Sequence, residues 1–313
     1  MTALVCGSFA YDTIMVFSDK FKNHILPDKV HMLNVSFLVP DMRREFGGCA
    51  GNICYNLHLL GGDVKPMGTV GIDFSPYGNW FTDIGIDQQH ITVVDNTFTA
   101  QAFITTDLDD NQITAFHPGA MSMSHQNKVT DASGVTLGIV SPDGKQGMTE
   151  HAEQFVNAGI PFVFDPGQGM PMFNGEELRQ FLEQATWVTL NDYESQLMQE
   201  RTGLSLKEMT QRVEALIVTK GGEGSVIYTQ QSEVTIPVVK AQNVVDPTGC
   251  GDAYRSGLLY GLLNDCDWET TGRLASLMGS LKVACHGTQN HRPTRDEIKA
   301  AYRTAFNSDF PIL

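Results

Sequence analysis

Short apolar runs alternate with amphipathic stretches from about residue 135 onward, and this alternation limits the fold more than any other feature. Four runs have the length of a buried strand and cover residues 135–140, 162–164, 187–190 and 216–219. The stretches between them fit helices near residues 149–158, 175–184 and 192–200. A further apolar run at residues 3–6 has the same character. The alternation predicts an α/β fold, in which a mostly parallel central sheet carries helices on both faces.

Two segments interrupt this alternation. Residues 97–116 switch between apolar and polar side chains around a turn at residues 109–111, a pattern typical of a β-hairpin. Residues 13–45 hold apolar side chains without helical spacing. Two β-rich insertions can pair into a small second sheet, and such a sheet beside a ligand crevice commonly acts as a lid. We predict a lid of residues 13–45 and 97–116 on a core of residues 1–12, 46–96 and 117–313.

The charge and the cysteine pattern exclude several classes of protein. The net charge is -15 at pH 7, so the surface repels nucleic-acid backbones and anionic lipids. No stretch approaches the length of a membrane span, and the residues after Met1 do not resemble a signal peptide. The six cysteines form no CxxC pair and no zinc pattern, which is typical of reduced thiols. We therefore expect a cytoplasmic protein with a small-molecule partner, without nucleic acid and without a membrane.

A glycine-containing run at residues 246–258 carries the chemistry and reads Asp-Pro-Thr-Gly-Cys-Gly-Asp-Ala-Tyr-Arg-Ser-Gly-Leu. Gly249 and Gly251 allow a tight turn and a close approach of the backbone to a ligand. A helix is predicted directly after them, so the N–H groups of Gly249, Cys250 and Gly251 would form an anion hole at its start. Asp252 at the mouth of this hole has the position of a general base for a substrate hydroxyl. The alternative is that Asp252 only caps the helix.

This run resembles the C-terminal signature of the ribokinase-like (PfkB) family of carbohydrate and nucleoside kinases. Cys250 is a minor departure, because the family usually has Ala or Gly there and only the backbone N–H is needed. Residues 47–52, with Leu59-Leu60-Gly61 after them, resemble the N-terminal Gly-Gly signature of the same family. The resemblance implies a ribokinase-like α/β fold, a three-layer sandwich with a small β-sheet lid. It also implies an ATP-dependent phosphotransferase with an alcohol group as acceptor, and with Mg²⁺ as cofactor.

The resemblance assigns three residues to the acceptor. Asp12 follows the first strand, where the family places an aspartate that binds vicinal hydroxyls, and a carboxylate suits that task. Gly48 allows the backbone to approach a sugar, and the amide of Asn52 can both donate to and accept from hydroxyls. A tight turn before a helix is the simpler explanation of this glycine pair.

Further residues are assigned to the nucleotide. Asn191 and Glu194 match the family's Asn-x-x-Glu motif, and Glu194 is expected to act on Mg²⁺ through bound water. Thr219, Gly221 and Gly224 lie in a turn similar to the one that lines the ATP site in the family. The simpler explanation of the Asn-x-x-Glu pattern is a helix start with a solvated glutamate.

A monovalent cation is the remaining cofactor that the resemblance implies. Asp246 and Thr248 match two of its ligand positions beside the anion hole. The loop around His286 and Gly287 gives no clear match, so the sequence leaves a K⁺ site open. The sequence also leaves open whether the chain is a monomer or a homodimer, because the lid has a sheet edge that could pair.

The composition of the predicted lid indicates the chemical class of the acceptor, because the lid is poor in arginine and rich in large apolar side chains. These are Phe17, Phe21, Ile25, Leu26, Met32, Leu33, Phe37, Leu38, Phe98, Phe103 and Phe116. An aromatic lid suits a flat base beside a ribose, and the first insertion resembles that of the family's bacterial adenosine kinases. The sequence therefore predicts phosphorylation of the 5′-hydroxyl of adenosine to AMP, with Phe116 at the substrate. If these side chains only build the lid's own core, the acceptor is a free sugar such as ribose. A non-catalytic nucleotide-binding relative is the other alternative.

Overall fold

The computed structural model describes residues 1–25, 34–109 and 111–310. The strands of these residues are β1 (Thr2–Cys6), β2 (Ala10–Val16), β3 (Asp41–Gly47), β4 (Asp63–Val70), β5 (His90–Val93), β6 (Ala100–Thr106), β7 (Gln112–His117), β8 (Val135–Val140), β9 (Phe162–Phe164), β10 (Trp187–Asn191), β11 (Ala215–Thr219), β12 (Ser225–Thr229) and β13 (Glu233–Ile236). The α-helices are α1 (Cys49–Leu59), α2 (Ser75–Ile84), α3 (Lys145–Ala158), α4 (Gly175–Gln184), α5 (Asp192–Thr202), α6 (Leu206–Thr210), α7 (Cys250–Leu263), α8 (Trp268–Val283) and α9 (Arg295–Phe306).

The large sheet has the predicted α/β character. Its strand order is β13-β12-β11-β10-β9-β8-β1-β4-β5, and every pair from β11 to β5 is parallel. At one edge of the sheet, β12 pairs antiparallel with both β11 and β13. Strand β1 lies between β8 and β4, so the strand order changes direction at β1. Ligands bind beyond the carboxyl ends of the strands where the strand order changes direction, so a site is expected at the carboxyl end of β1.

The two faces of β1 show why the sheet is covered by helices on both sides. Ala3 and Val5 belong to one buried cluster, whereas Leu4 and Cys6 belong to another. Successive side chains of a strand point to opposite faces, so an apolar run without alternation must be buried on both. Helices α1, α2, α7, α8 and α9 contribute to the first cluster, and α3 to α6 contribute to the second. This arrangement confirms the three-layer sandwich.

A second sheet of four strands, which we call the lid, has the order β3-β2-β6-β7. The hairpin predicted for residues 97–116 is present as the antiparallel pair β6–β7. Its turn is closed by the Asp107 carboxylate, which accepts hydrogen bonds from the backbone N–H groups of Asp109 and Asn111, each at 2.9 Å. Strand β2 begins at Ala10 and therefore includes Asp12, so the boundary predicted between residues 12 and 13 falls inside a lid strand.

Three aromatic side chains of the predicted lid segment 13–45, which lie between β2 and β3, pack on one another. Phe17 lies with its ring centroid 5.9 Å from that of Phe21 and 4.8 Å from that of Phe37. Phe17 and Phe21 are buried, at 5% and 6% exposure. This part of the lid therefore has its own small apolar core, as the alternative reading of the sequence proposed. Leu26, Met32 and Leu33 lie outside the described residues.

None of the helices in the described ranges combines the length and the apolarity needed to cross a bilayer.

Candidate active site

A cavity of about 860 Å³ lies at the carboxyl edge of the large sheet and is bordered by the lid. It brings together most residues that the sequence pointed to, although they are far apart along the chain. The predicted residues that line it are Asp12, Gly48, Asn52, Phe116, Asn191, Glu194, Thr219, Gly221, Thr248, Gly249, Gly251 and Asp252. Three predicted residues, Cys250, Gly224 and Asp246, are not part of its lining.

The start of helix α7 forms one wall of the cavity. Gly249 precedes the helix with a φ of 77°, a left-handed conformation that favours glycine. No side chain caps this helix start, so its first N–H groups are left for a ligand. The N–H of Cys250 already donates to the carbonyl oxygen of Pro247 at 3.1 Å. Gly249 and Gly251 are therefore the members of the predicted anion hole that face the cavity.

Asp252 lies in the first turn of α7 and is largely buried. Its Oδ2 accepts a hydrogen bond of 2.8 Å from Nδ2 of Asn52. Burial raises the pKa of the Asp252 carboxyl to about 7, and the hydrogen bond from Asn52 acts in the opposite direction. A carboxyl with a pKa near neutrality is well suited to accept a proton from an alcohol and to release it again.

A hydrogen-bond chain fixes the orientation of the Asn52 amide. Nε1 of Trp80 donates to Oε1 of Gln289 at 3.1 Å, and Nε2 of Gln289 donates to Oδ1 of Asn52 at 3.0 Å. Because an indole N–H can only donate, Trp80 sets the direction of the whole chain. The Asn52 amide must therefore present its NH₂ group to Asp252. The sequence predicted that Asn52 contacts substrate hydroxyls and contained no sign of its hydrogen bond to Asp252.

We expect Asn52→Ala to shift the pH dependence of turnover. In its predicted role of general base, Asp252 accepts a proton in its ionised form, so kcat/KM should fall as the pH drops below about 7. Loss of the Asn52 hydrogen bond destabilises that ionised form. A hydrogen bond to a charged group contributes about 1.5–3 kcal/mol, so the acidic limb should move up by about one to two pH units.

The measurement is a pH profile of kcat/KM for both proteins. Asn79→Ala, on the exposed side of α2, is a suitable control and should leave the profile in place. An unchanged acidic limb in Asn52→Ala would show that Asn52 does not set the pKa of the base.

A buried ion pair, which the sequence did not predict, lies beside Asp252 in the wall of the cavity. Nε and Nη2 of Arg255 donate to the two oxygens of Asp165 at 2.9 and 3.0 Å. The side chains of Arg255 and Asp165 are only 7% and 3% exposed. Arg255 follows Asp252 by three residues, so both lie on the same side of α7. That spacing and the position of Asp165 after β9 were the signals available in the sequence.

The side of the cavity predicted for the acceptor is built from β2 and the start of α1. Burial raises the pKa of Asp12 to about 6, and the nearby carboxylates of Asp246 and Glu45 add to the shift. Gly48 has a φ of 86°, and a Cβ there would lie 2.5 Å from the carbonyl oxygen of Ser8. At Gly47 a Cβ would lie 2.7 Å from Oδ2 of Asp12. The glycine pair is therefore required for Asp12 and the loop after β1 to pack closely.

The start of helix α5 lines the nucleotide side that the sequence predicted. Oδ1 of Asn191 accepts the N–H of Glu194 at 2.7 Å, and Oε2 of Glu194 accepts the N–H of Asn191 at 2.8 Å. This capping box uses one polar atom of each side chain and leaves the Asn191 Nδ2 and the Glu194 Oε1 for other partners. Burial raises the pKa of Glu194, and the neighbouring Asp165 adds to this.

The residues at the cavity fit Mg²⁺ only in the way expected for a nucleotide-bound ion. Asp165, Asp192, Glu194 and Asp252 line the cavity, yet no cluster of three or more His, Cys, Asp or Glu side chains in the described part of the chain could cage a metal. Mg²⁺ keeps several waters and is usually bound by one or two carboxylates together with substrate phosphates. Glu194 remains the predicted protein partner.

The loop before α7 is tied to the loop after α8. Oδ1 of Asp246 accepts the N–H of Thr248, and Oδ2 accepts the N–H of Gly287, both at 2.9 Å. Lys282, near the end of α8, donates from Nζ to the carbonyl oxygen of Asp246 at 2.7 Å. Lys282 is not among the residues predicted for the site, although a lysine inside the apolar stretch of residues 277–285 is a visible exception.

The sequence profile of the pfkB family carbohydrate kinases matches residues 12–295. The chain belongs to this family. The match confirms the family and the ribokinase-like fold that the run at residues 246–258 predicted. As a pfkB family kinase, the protein is an ATP-dependent phosphotransferase with an alcohol group as acceptor.

Several proteins similar to this pfkB kinase are nucleoside kinases. The nucleoside kinase of Methanocaldococcus jannaschii is 32% identical to it, over 85% of this chain and 88% of its own length. The solved structure of Burkholderia thailandensis nucleoside kinase in complex with inosine has a TM-score of 0.89 at 52% identity, over 98% of this chain and 99% of that one. The structure of the same protein in complex with ADP-inosine has a TM-score of 0.87 at 55% identity, over 98% and 97%.

Proposed function

We propose that this pfkB family member is a nucleoside kinase that transfers the γ-phosphate of ATP to the 5′-hydroxyl of a purine ribonucleoside. The observation that carries the proposal is the likeness, at 52% identity over nearly the whole chain, to a nucleoside kinase with inosine bound. Adenosine is the acceptor that the lid composition predicts. Inosine is the second candidate, because that similar protein binds it.

The chemistry of the cavity supports this proposal. Phe116, Met121 and Met172 give the cavity apolar lining that suits a flat base. Asp12 supplies a carboxylate for the ribose hydroxyls, with Gly48 beside it, and Asn52 lies between this region and Asp252. The single cavity thus contains groups for a base, for a sugar and for proton removal. Its volume of about 860 Å³ lies within the usual range of ligand sites.

In the proposed reaction Asp252 accepts the proton of the attacking 5′-hydroxyl. The N–H groups of Gly249 and Gly251, with the positive end of the α7 dipole, stabilise the negative charge of the transferring phosphoryl group. Phosphoryl transfer needs little beyond such positioning and electrostatic stabilisation. Cys250 supports the turn through its N–H and does not face the cavity.

The nucleotide is proposed to lie against Asn191, Thr219, Gly221 and the turn that ends at Gly224. Mg²⁺ is expected to reach Glu194 through water and, when bound, to neutralise charge on the phosphates. A cytoplasmic location and the choice between monomer and homodimer stay predictions.

An assay of ADP release with ATP and Mg²⁺ tests the proposal. Adenosine and inosine should support turnover at micromolar concentrations, whereas ribose and fructose 6-phosphate should not. Turnover with ribose alone would contradict the nucleoside assignment and leave the kinase assignment in place. The relative kcat/KM of adenosine and inosine decides between the two purine candidates.

The same assay tests the role of Asp12. A hydrogen bond to a charged group contributes about 1.5–3 kcal/mol, so the wild-type enzyme should prefer a ribonucleoside to its 2′-deoxy form by about tenfold or more. Asp12→Ala should remove this preference. Asp41→Ala, at an exposed position of the neighbouring strand β3, should keep it. A ribonucleoside preference that survives in Asp12→Ala would place the hydroxyl contact elsewhere.

A further inference from the structure

Lys282 is a lysine whose charged group is enclosed by the protein. Its side chain is 0% exposed, although lysine is rarely buried unless it is paired. Its Nζ donates to the carbonyl oxygen of Asp246 at 2.7 Å and to that of Cys285 at 3.2 Å. Oδ2 of Asp246 lies 3.9 Å away and supplies the opposite charge. The ammonium is therefore held by backbone carbonyls and one carboxylate, which is an oxygen environment of the kind that alkali cations also use.

The ammonium contacts the loop that leads into the anion hole. Asp246, to which it is bonded, begins the turn that leads through Gly249 into α7, and Cys250 is the first residue of that helix. Sγ of Cys250 lies 3.8 Å from the same Asp246 carbonyl oxygen that accepts from Lys282, so the ammonium is close to the helix start. Burial raises the pKa of the Cys250 thiol to about 11, and the Lys282 ammonium acts in the opposite direction. Two backbone hydrogen bonds join the same segments, because the N–H groups of Val245 and Asp246 both donate to the carbonyl oxygen of Val283.

The residues at this position do not fit the K⁺ that the family resemblance left open at Asp246 and Thr248. The carbonyl oxygen of Asp246, one of the two residues at the predicted ligand positions, already accepts a hydrogen bond from Lys282. A second cation beside a buried ammonium would also be repelled at short range, where the protein screens charge poorly. One oxygen of the Asp246 carboxylate is further occupied by the N–H of Thr248.

We infer that the Lys282 ammonium takes the place of a monovalent cation in this kinase. It orders the turn before the anion hole and supplies a fixed positive charge behind it. Phosphoryl transfer by this protein is then independent of K⁺, because the cation is part of the chain.

The first test measures turnover of the wild-type enzyme in K⁺, Na⁺ and tetramethylammonium salts at equal ionic strength, with ATP as its Tris salt. The three salts should give the same kcat and the same kcat/KM, because general screening depends on ionic strength and not on the ion. A selective activation by K⁺ would overturn the inference, since the wild-type protein would then still need the ion.

The second test uses Lys282→Ala, with the exposed Lys207→Ala on α6 as control. Turnover of Lys282→Ala in tetramethylammonium salt should fall by about tenfold or more, which is less than the roughly 10²–10³-fold cost of losing a donor that contacts the transition state directly. K⁺, ammonium or methylammonium should restore part of this loss, because each can occupy the vacated oxygens. A variant that is fully active in all salts would contradict the inference.

A third readout needs no acceptor and is therefore independent of the proposed function. An ion that binds only the folded state raises the melting temperature. K⁺ at constant ionic strength should raise the Tm of Lys282→Ala and leave that of the wild-type protein and of Lys207→Ala unchanged. If the Lys282→Ala protein does not fold in either salt, the response of the wild-type protein decides alone. A K⁺-dependent Tm of the wild-type protein would overturn the inference.

Discussion

Asp252→Asn should lower kcat by at least about 10²-fold, because a positioned general base contributes on that scale. The amide keeps the size of the carboxyl but cannot take the proton of the substrate hydroxyl. Nucleotide binding should persist, since Gly249 and Gly251 act through backbone N–H groups that the substitution leaves in place. Coupled assay of ADP release gives kcat, and calorimetry gives the affinity for ATP.

The fold of this variant should be at least as stable as that of the wild-type protein. The pKa of Asp252 is raised to about 7 in the folded state, so the folded protein binds a proton between about pH 4 and 7 that the unfolded chain releases. The contribution of Asp252 to the stability of the wild-type protein therefore falls as the pH rises through this window, and above pH 7 the buried carboxylate is destabilising. A neutral amide avoids this cost.

Asp265→Asn is a matched control at the other end of α7. It lies in an exposed left-handed position with a φ of 51°, which Asn also tolerates. The control should keep full activity. Near wild-type turnover in Asp252→Asn would remove Asp252 from the role of base, and loss of ATP binding would show that the substitution had disturbed the anion hole.

Arg255→Met should destabilise the protein by about 3–5 kcal/mol, because it leaves the buried carboxylate of Asp165 without a partner. The ion pair is closed by two hydrogen bonds, and both side chains are almost fully enclosed. Removal of one partner therefore exposes the other to the full cost of desolvation. Urea unfolding monitored by circular dichroism measures the change in the free energy of unfolding.

Two further variants separate this effect from a general loss of packing. Arg255→Met combined with Asp165→Asn should be more stable than Arg255→Met alone, since no buried charge is then unpaired. Arg212 and Glu183 form a surface ion pair whose Nε–Oε1 distance of 2.9 Å equals the Nε–Oδ2 distance of the buried pair. Arg212→Met should therefore cost less than about 1 kcal/mol. If Arg255→Met cost no more than Arg212→Met, the buried pair would be energetically unimportant.

The local pattern of the sequence was enough to predict the sheet, the lid hairpin and the start of α7. Apolar runs without alternation required burial on both faces, and β1, β8 and β9 show that burial. The spacing of Gly249 and Gly251 before a helical stretch placed Asp252 in its first turn. Each of these signals lies within a few neighbouring residues, where propensity and side-chain spacing act directly.

The remaining features depend on contacts between distant residues. Asn52 and Gln289 are 237 positions apart, and Asp165 and Arg255 are 90 apart. Nothing near Asn52 in the sequence shows that a tryptophan sets the orientation of its amide. In the same way, lid aromatics that pack on one another have the same composition as aromatics that would contact a base. Only the folded arrangement separates these two cases.

The strand that carries Asp12 belongs to the lid, whereas Asp252 belongs to a helix packed on the large sheet. Only residues 7–9 connect that strand to β1. A sugar held by Asp12, with its reacting oxygen at Asp252, would contact both the lid and helix α7 and would act as a spacer between them. The acceptor would then complete the geometry of its own reaction. A molecule without the correct hydroxyls would leave the two carboxylates at the wrong separation, so selectivity would appear in kcat as well as in binding.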